Sequence, residues 1–403
     1  MSDTQKHTKL NVPNLRFPGF EGEWESCNLG EIASLSKGVG ISKDQRTNDG
    51  NPCILYGELY TTYSTEIIDE VVSKTNLPAK GLVKSEANDV IIPASGETAI
   101  DISTARCVTK SDVFLGGDLN IIRLKGHDGK FFSYQLNGVR KKDIAKVAQG
   151  VSIVHLHGSD LETIRVCYPS RREQEKISGL LSLIDKRIAI QNRVIKRYES
   201  LIKALVDKWV QELLQGTTTR FEQLYVKAGE GGTPSTSERT YYEGGVIPFV
   251  KIDDLSSMYL TENKDYITSA GLAKSSAWII PKNSVIYSNG ATIGALSINT
   301  YPVTTKQGIL GIVPKNEIQT EYLYYIMRSS YFNREVQRII TEGTMKTAYL
   351  KDINRIICPL PSPKVQTRMV AGLLALSEKS YVEQQKQILY TTLKRNLLAR
   401  LFI

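Results

Sequence analysis

Apolar residues recur every three or four positions over residues 171–213, and steps of four and three alternate as in a heptad seam for about five repeats. Pro is absent between Pro169 and Pro234. The pattern predicts one helix about 60 Å long, whose narrow apolar stripe needs a partner helix. A helix lying across one globular domain is the alternative, and it would show a broader stripe. The seam consists of Ile177, Leu181, Ile184, Ile188, Gln191, Ile195, Tyr198, Ile202, Leu205 and Trp209.

A second, less regular apolar stripe lies in residues 364–401, where the polar run 383–387 interrupts it. The residues of this stripe that we assign to the seam are Leu389, Leu393 and Leu397. Gln191 interrupts the first seam in a similar way, and polar seam positions fix the register of a coiled coil at a cost in stability. We expect the two helices to pair antiparallel.

The segments before the two helices alternate short strand-like runs with turn residues. Residues 52–56, 89–93 and 119–124 are such runs, and Asp49-Gly50 and Ser95-Gly96 are such turns. The order of motifs then repeats after Gly216. At offsets of 192 to 193 the sequence pairs Gln149-Gly150 with Glu342-Gly343, Asp160-Leu161 with Asp352-Ile353, and Gln174 with Gln366.

These patterns predict an α+β protein with two similar strand-rich domains and an internal pseudo-two-fold repeat. We expect the domains to be separated by the two long antiparallel helices of a coiled coil. The predicted segments are an N-terminal arm (1–20), a first domain (21–170), a long helix (171–215), a second domain (216–362) and a long C-terminal helix (363–403).

Charge is concentrated in the helices. Residues 170–215 hold ten Lys and Arg against six Asp and Glu, and residues 363–403 hold seven against two, in a chain of net charge +9. A basic surface is compatible with a polyanionic partner. Five widely spaced cysteines and the lack of an apolar signal core at the N-terminus favour a reducing cytoplasm.

Catalytic signatures are absent from the sequence. It contains no Gly-x-x-x-x-Gly-Lys phosphate loop, no Pro-Pro dipeptide of the kind found in amino-methyltransferase motifs, and no Pro-Asp that could begin a restriction-nuclease motif. His155 and His157 have no nearby carboxylate or Cys cluster, so no metal site is predicted. We predict no catalytic residue and no cofactor bound by this chain.

A binding surface is the remaining possibility. Loops rich in Ser, Thr, Asn, Gln and Gly occur in both halves, and these are residue types that contact DNA bases and phosphates. From loop position we predict DNA contacts at Tyr56, Glu58, Ser95, Glu97, Thr98, Gln149 and Ser152 in the first half. In the second half they are Lys251, Asp253, Asn289, Thr292, Lys306, Gln307, Thr344 and Lys346.

Several short motifs in this order resemble the specificity subunits of type I restriction–modification enzymes over nearly the whole chain. They include Phe17-Pro-Gly-Phe-Glu-Gly-Glu-Trp24, Leu29-Gly-Glu-Ile32, Glu173-Gln-Glu-Lys-Ile177, Leu183-Ile-Asp185, Gly231-Gly-Thr-Pro-Ser235, Leu350-Lys-Asp-Ile353, Pro359-Leu-Pro361 and Gln366. The resemblance implies two target-recognition domains, each reading one half of a split DNA target, with the helices as a ruler between them.

The resemblance also implies partners. Such a subunit has no catalysis of its own and docks two modification subunits, which carry S-adenosylmethionine and methylate adenine. Restriction subunits join them for cleavage that uses ATP and Mg. Two alternatives stay open at this point: a DNA adenine methyltransferase or nuclease acting alone, and a coiled-coil scaffold that does not read DNA.

Overall fold

The computed structural model describes residues 11–150, 153–290, 292–340 and 346–403. The chain divides into two units, one made of Met1–Asn192 with Gln385–Ile403 and the other of Arg193–Gln384. Each unit therefore contains a strand-rich domain and a piece of both long helices. Within the described residues, no helix is long and apolar enough to cross a membrane.

The first unit is built on a main sheet with the strand order β2-β11-β7-β9-β4 and a smaller sheet with the order β5-β3-β10-β6. Two ribbons, β1-β13 and β8-β12, accompany them. The described strands are β1 (Glu25–Asn28), β2 (Ala33–Lys37), β3 (Asn51–Ile54), β4 (Ile67–Ile68), β5 (Ser73–Thr75), β6 (Val83–Lys84), β7 (Asp89–Pro93), β8 (Ser95–Gly96), β9 (Arg106–Val108), β10 (Phe114–Leu115), β11 (Leu119–Leu124), β12 (Val154–His155) and β13 (Arg165–Tyr168).

The main sheet is covered on both faces, which explains why its central strands β7 and β11 contain consecutive apolar residues. On one face Val90 and Ile122 pack in the core that contains Phe131. On the other face Ile91 and Ile121 pack in a separate core with the smaller sheet. The described helices of this domain are α1 (Leu29–Ile32), α2 (Glu58–Thr61), α3 (Ala99–Ile102), α4 (Gly129–Asn137), α5 (Lys141–Val147) and α6 (Gly158–Glu162).

The predicted long helix, α7 (Arg171–Leu213), follows and leads into the second unit. There the strands are β14 (Thr218–Arg220), β15 (Tyr225–Glu230), β16 (Ile247–Val250), β17 (Tyr259–Leu260), β18 (Asp265–Ile267), β19 (Val285–Ser288), β20 (Leu296–Asn299), β21 (Thr304–Thr305), β22 (Ile309–Pro314) and β23 (Ile357–Pro359). The helices are α8 (Ser269–Ala273), α9 (Thr320–Arg328), α10 (Ser330–Ile339), α11 (Leu350–Ile353) and α12 (Pro363–Leu401).

The second unit repeats the first. Its main sheet has the order β15-β22-β19-β20-β17, and its smaller sheet has the order β18-β16-β21. Each strand of these sheets corresponds in sequence order to one in the first unit. Among the described residues, the strand β6 is matched in the second unit only by an isolated antiparallel bridge between Ile280 and Val303, the residue before β21. Asn88 and Asn283 both take a left-handed conformation just before β7 and β19 (φ +85° and +61°), as Asn tolerates better than most residues. The internal repeat is therefore present in the backbone itself.

The same glutamine anchors each long helix to its domain. Gln174 Oε1 accepts from the Asp128 N–H at the start of α4, and Gln366 Oε1 accepts from the Gln319 N–H at the start of α9. Each side-chain amide also donates to a proline carbonyl five residues earlier in the chain. Both glutamines are buried, so they satisfy backbone groups that water cannot reach.

Both units pack the two long helices against each other in antiparallel directions. In the first unit Lys394 of α12 bonds to Asp185 of α7, and in the second unit Trp209 of α7 lies 3.7 Å from the place of a Cβ on Gly372 of α12. Residue numbers thus rise along α7 while they fall along α12. The predicted α+β fold, with two similar domains and two long antiparallel helices, is confirmed.

The assignment of seam residues in α12 needs a correction. The ten seam residues of α7 are buried or half-buried, and Leu397 of α12 is half-buried. Leu389 and Leu393, however, are 67% and 43% exposed. Residues four apart are rotated by about 40° around a helix, so a run of leucines at that spacing drifts away from the seam. Only the C-terminal end of the run, near Leu397, faces the partner helix.

Candidate nucleic-acid interface

Two loops of the first unit meet at Tyr60. One loop follows β3 and carries Tyr56 and α2, and the other follows β7 and carries Glu97 and Thr98. The Tyr60 hydroxyl lies 3.8 Å from the place of a Cβ on either Gly57 or Gly96, so it touches both loops where they lack side chains. Burial, together with nearby Tyr56, Glu97 and Asp101, raises the pKa of this hydroxyl. Tyr60 therefore stays a neutral hydrogen-bond donor at the surface.

A short ribbon brings a third loop to the same edge of the sheet. Ser95 and Gly96 of β8 pair with His155 and Val154 of β12. Gln149 and His155 exchange backbone hydrogen bonds of 2.8 and 2.7 Å. The ribbon thus gathers the exposed predicted contacts Glu97, Thr98 and Gln149 with Tyr56 around one surface. Ser152 lies outside the described residues.

Loops of the second unit converge at the corresponding place. The Asn289 N–H donates to the Gly308 carbonyl, and the Asn289 carbonyl accepts from the Ala348 N–H. The Gly308 N–H in turn donates to Glu230 Oε1 at 2.7 Å. Gly308 has a φ of +84°, a value that glycine adopts without strain. Exposed Lys306 and Gln307 precede this turn, and exposed Lys346 stands close to Ala348 in the chain.

Some of the predicted contacts have buried side chains that form hydrogen bonds inside the domain. Glu58 is 5% exposed, and its carboxylate accepts from the Leu55 N–H, the Ser73 hydroxyl and, at 3.4 Å, Arg46. This carboxylate therefore organises α2 and β5, and its assignment as a DNA contact is corrected. Burial is the physical reason, since a base edge cannot reach this side chain.

Asn289 is corrected for the same reason. It is 1% exposed, and its amide donates to the Ala348 carbonyl at 3.1 Å. This side chain therefore ties two loops together and leaves the surface to their other residues. Ser95 is likewise buried in the β8-β12 ribbon.

The remaining predicted contacts lie at or near the surface. Thr98 is exposed and caps α3 by accepting from the Asp101 N–H at 3.1 Å. Lys251 is half-buried and forms a 2.8 Å ion pair with Asp265. Asp253 and Thr292 are exposed, and Thr344 lies outside the described residues. Tyr60 was missed, although an aromatic residue two positions after a predicted contact was a usable signal.

Cys53 and Cys358 are buried in the apolar cores of the two domains. Burial raises the pKa of the Cys53 thiol to about 11 and that of the Cys358 thiol to about 12. Both thiols are therefore protonated at neutral pH, and the nucleophilic form of cysteine is the thiolate. Within the described residues, no group of three or more His, Cys, Asp or Glu side chains could hold a metal ion.

Comparisons with known proteins agree with this architecture. A family profile described as "Type I restriction modification DNA specificity domain" matches residues 21–199 and 224–389. The MjaIX specificity subunit of Methanocaldococcus jannaschii is 29% identical over 160 residues, which cover 39% of this chain and 37% of that relative. The chain thus spans little more than a third of the length of this relative.

A second relative and one solved structure extend the similarity to nearly the whole chain. The MjaVIII specificity subunit of M. jannaschii is 23% identical over 410 residues, covering 91% of this chain and 90% of that relative. The crystal structure of a type I restriction–modification S subunit from M. genitalium superposes with a TM-score of 0.66 at 18% identity, covering 97% and 99% of the two chains. The structural likeness supports the fold.

Proposed function

Because the chain belongs to the type I restriction modification DNA specificity domain family, we propose that it is a specificity subunit that reads a split duplex-DNA target. Each unit reads one half-site. The observation that carries this proposal is the repeat of one sheet order in both units, with loops of different chemistry at the same edge.

The differences between those loops support two different half-sites. The first unit presents a carboxylate and an amide at Glu97 and Gln149, whereas the second presents Lys306, Gln307 and Lys346. Carboxylates accept hydrogen bonds, for example from cytosine, and lysines donate them, for example to guanine. The same fold with different loop side chains therefore suits the reading of two unlike sequences.

Catalysis belongs to partner subunits in this proposal. Two modification subunits supply S-adenosylmethionine and methylate adenine, and restriction subunits supply ATP-dependent, Mg-dependent cleavage. All of them act on DNA in the cytoplasm. The helices α7 and α12 dock these partners and set the spacing of the half-sites. In support, the two helices expose large apolar side chains, as protein interaction surfaces do: Leu183, Ile190, Leu201, Tyr381, Val382, Ile388, Leu389 and Leu393.

Modified-base sequencing of host DNA tests the proposal directly. DNA from cells with the gene intact should carry methyladenine at a split motif, and DNA from cells with the gene deleted should lack it. Restoring the gene on a plasmid is the control. Identical methylation in both strains would refute the proposal.

A second experiment separates the other functions. The purified chain is incubated with DNA and labelled S-adenosylmethionine, with and without the modification subunits. We expect incorporation only when the subunits are present. Incorporation by the chain alone would make it a methyltransferase, and a complex that binds no DNA would make it a scaffold.

A further inference from the structure

A positively charged groove lies in the second unit between α7 and α10. It encloses about 600 Å³, and its cationic lining residues are Lys203, Arg328, Arg334 and Arg338. Ser330, Asn333 and Gln337 complete the lining, which contains no carboxylate. Such a surface fits an anionic partner.

Helix α10 packs with one face buried, and this leaves its arginines exposed on another face. Phe332 and Val336 are buried, whereas Arg334 and Arg338, one turn apart, are exposed on another face. The first residue of α10, Ser330, donates from its N–H and its hydroxyl to the carboxylate of Asp207 on α7, both at 2.7 Å. The groove walls are thus held together by hydrogen bonds.

Two nearby carboxylates offset about half of the four positive charges. Glu335 pairs with Arg338 at 2.6 Å, and Asp207 keeps its negative charge while it accepts hydrogen bonds from the uncharged Ser330. Arg328 donates to the neutral Tyr324 hydroxyl at 2.6 Å. Lys203, Arg328 and Arg334 form no ion pair with any other described residue. An anion in the groove would therefore meet several cations at once.

The groove adjoins the loops that we assign to base reading. Asn333 Oδ1, in the groove lining, lies 3.5 Å from the place of a Cβ on Gly294, and Gly294 belongs to the loop that follows β19. A duplex whose bases meet Lys306 and Gln307 has its phosphates along the margins of that surface. Phosphate contacts fix the register of a protein on DNA, and base contacts carry the sequence information.

We propose that this groove binds phosphates of the DNA backbone beside the second half-site, with Lys203, Arg334 and Arg338 as positioning residues. This inference rests on the proposed function, because it assumes that the same unit reads bases.

The internal repeat supports a role that is independent of sequence. Val336 of α10 and Ile144 of α5 are buried and lie 192 residues apart, the same offset as the anchoring glutamines. At that offset Arg334 and Arg338 correspond to Lys142 and Lys146, and Lys203 corresponds to Arg395, all of them exposed. Cations thus recur at these places while the reading loops differ, as expected for contacts to phosphates, which every DNA sequence offers.

The test uses the full chain in complex with its modification subunits and the triple variant Lys203→Gln, Arg334→Gln, Arg338→Gln. Affinity for cognate and random duplexes is measured across salt concentrations. We expect roughly tenfold weaker binding to both duplexes and a slope of log affinity against log salt that is smaller by about 0.9 per lost contact. The methylated sequence should stay the same.

Two control variants sharpen the test. Lys282→Gln removes an exposed cation just before β19, at the other end of that strand from the Gly294 loop, and should leave the slope unchanged. The charge-preserving variant Lys203→Arg, Arg334→Lys, Arg338→Lys should keep most of the wild-type slope.

The outcomes are distinguishable. A triple variant with the affinity and slope of the Lys282 control would overturn the proposal. So would failure to assemble with the modification subunits, which would make the groove a protein-docking site, or an altered methylated sequence, which would make it a base reader. If the wild-type complex shows a salt-dependent affinity that the triple variant loses but no sequence preference, the groove proposal stands and the proposed function fails.

Discussion

In both units a tyrosine of the domain forms a hydrogen bond with a long helix at the same place. Its neighbours are charged in the first unit and uncharged in the second. In the first unit the Tyr134 hydroxyl of α4 donates to Asp185 of α7 at 2.6 Å. Lys394 of α12 lies 2.7 Å from Asp185 and 2.6 Å from Glu66. All of these side chains are largely buried, so this is an ionic cluster of two carboxylates and one ammonium group.

The second unit replaces the cluster with uncharged residues. The Tyr325 hydroxyl of α9 lies 3.1 Å from the Ser377 hydroxyl and 3.7 Å from the Met258 sulfur. Ser377, Met258 and Ile202 occupy the repeat positions of Asp185, Glu66 and Lys394, respectively, each 192 residues away. Strand pairing confirms the match, because the carbonyls of Glu66 and Met258 accept from the equivalent residues Cys107 and Ile298.

This difference teaches that the charges are not required to hold a helix against such a domain. Replacing a buried ionic cluster with apolar residues of similar volume is often neutral or stabilising, whereas removing one partner leaves an unpaired buried charge. We infer that the cluster makes the C-terminal end of α12 specific for the first unit. A buried lysine at the position of Lys394 is stable only where carboxylates such as Glu66 and Asp185 are close enough to pair with it.

The largest effect is expected from Lys394→Ile, which leaves the two carboxylates of the cluster unpaired. The first unit should lose about 3–5 kcal/mol of its free energy of unfolding. Denaturant unfolding followed by a probe in the first unit measures the loss. Asn396→Ala, an exposed neighbour on α12, is the control and should change little.

The triple variant Glu66→Met, Asp185→Ser, Lys394→Ile gives the first unit the residues of the second. It should recover most of the stability that Lys394→Ile loses, because no buried charge remains. A triple variant as unstable as the single one would show that the two sites are not equivalent.

Replacing either anchoring glutamine should destabilise its own unit by a similar amount. Gln174→Ala and Gln366→Ala each leave a buried backbone N–H without its acceptor, which costs about 1–3 kcal/mol. Hydrogen exchange at Asp128 and Gln319 should accelerate in the respective variants. Protection that is lost in only one unit would contradict the equivalence of the anchors.

Removing the hydroxyl of Tyr134 should cost more stability than removing that of Tyr325. Tyr134→Phe removes a hydrogen bond to a carboxylate and should cost about 1.5–3 kcal/mol, whereas Tyr325→Phe removes a bond between neutral groups and should cost about 0.5–1.5 kcal/mol. Paired unfolding experiments measure both. Equal costs would indicate that Asp185 is not ionised.

The smallest effect concerns pH. Burial and the neighbouring charge of Glu66 raise the pKa of Asp185, against the opposing effect of Lys394. The folded state then binds this proton more tightly than the unfolded state does. The contribution of Asp185 to stability is therefore greatest below the ordinary aspartate pKa and is lost as pH rises through the raised pKa. The difference in unfolding free energy between wild type and Asp185→Asn, measured across pH, should show this trend, and Ser377→Asn should show none.

The sequence predicted the elements that depend on periodicity. The seam of α7 follows from its alternating steps of three and four, and the internal repeat follows from the constant offset that links Gln174 to Gln366. The fold class was therefore within reach without a structure. The assignment of Leu389 and Leu393 to the seam was wrong, because a series of leucines spaced four residues apart does not reveal which of its ends faces the partner helix.

The site was predicted less well, because polar residues beside glycine turns serve two purposes. Glu58 and Asn289 have the composition of contact residues but satisfy backbone groups inside the domain. Lys394 lies in a polar stretch yet is mostly buried, because its partners Glu66 and Asp185 come from distant parts of the sequence. The charged groove draws its residues from three helices, so a local pattern could not indicate it.

The core of the first unit is completed by residues that are translated after the whole second unit, and this has a consequence for biosynthesis. Leu401 and Phe402 fill this core beside Phe131, so the first domain cannot complete its core until these two residues have been made. At about 5–20 residues per second, the ribosome needs roughly 10–40 s to translate residues 193–402. During that interval the nascent chain exposes an unfilled apolar cleft, which makes it a natural client for a chaperone.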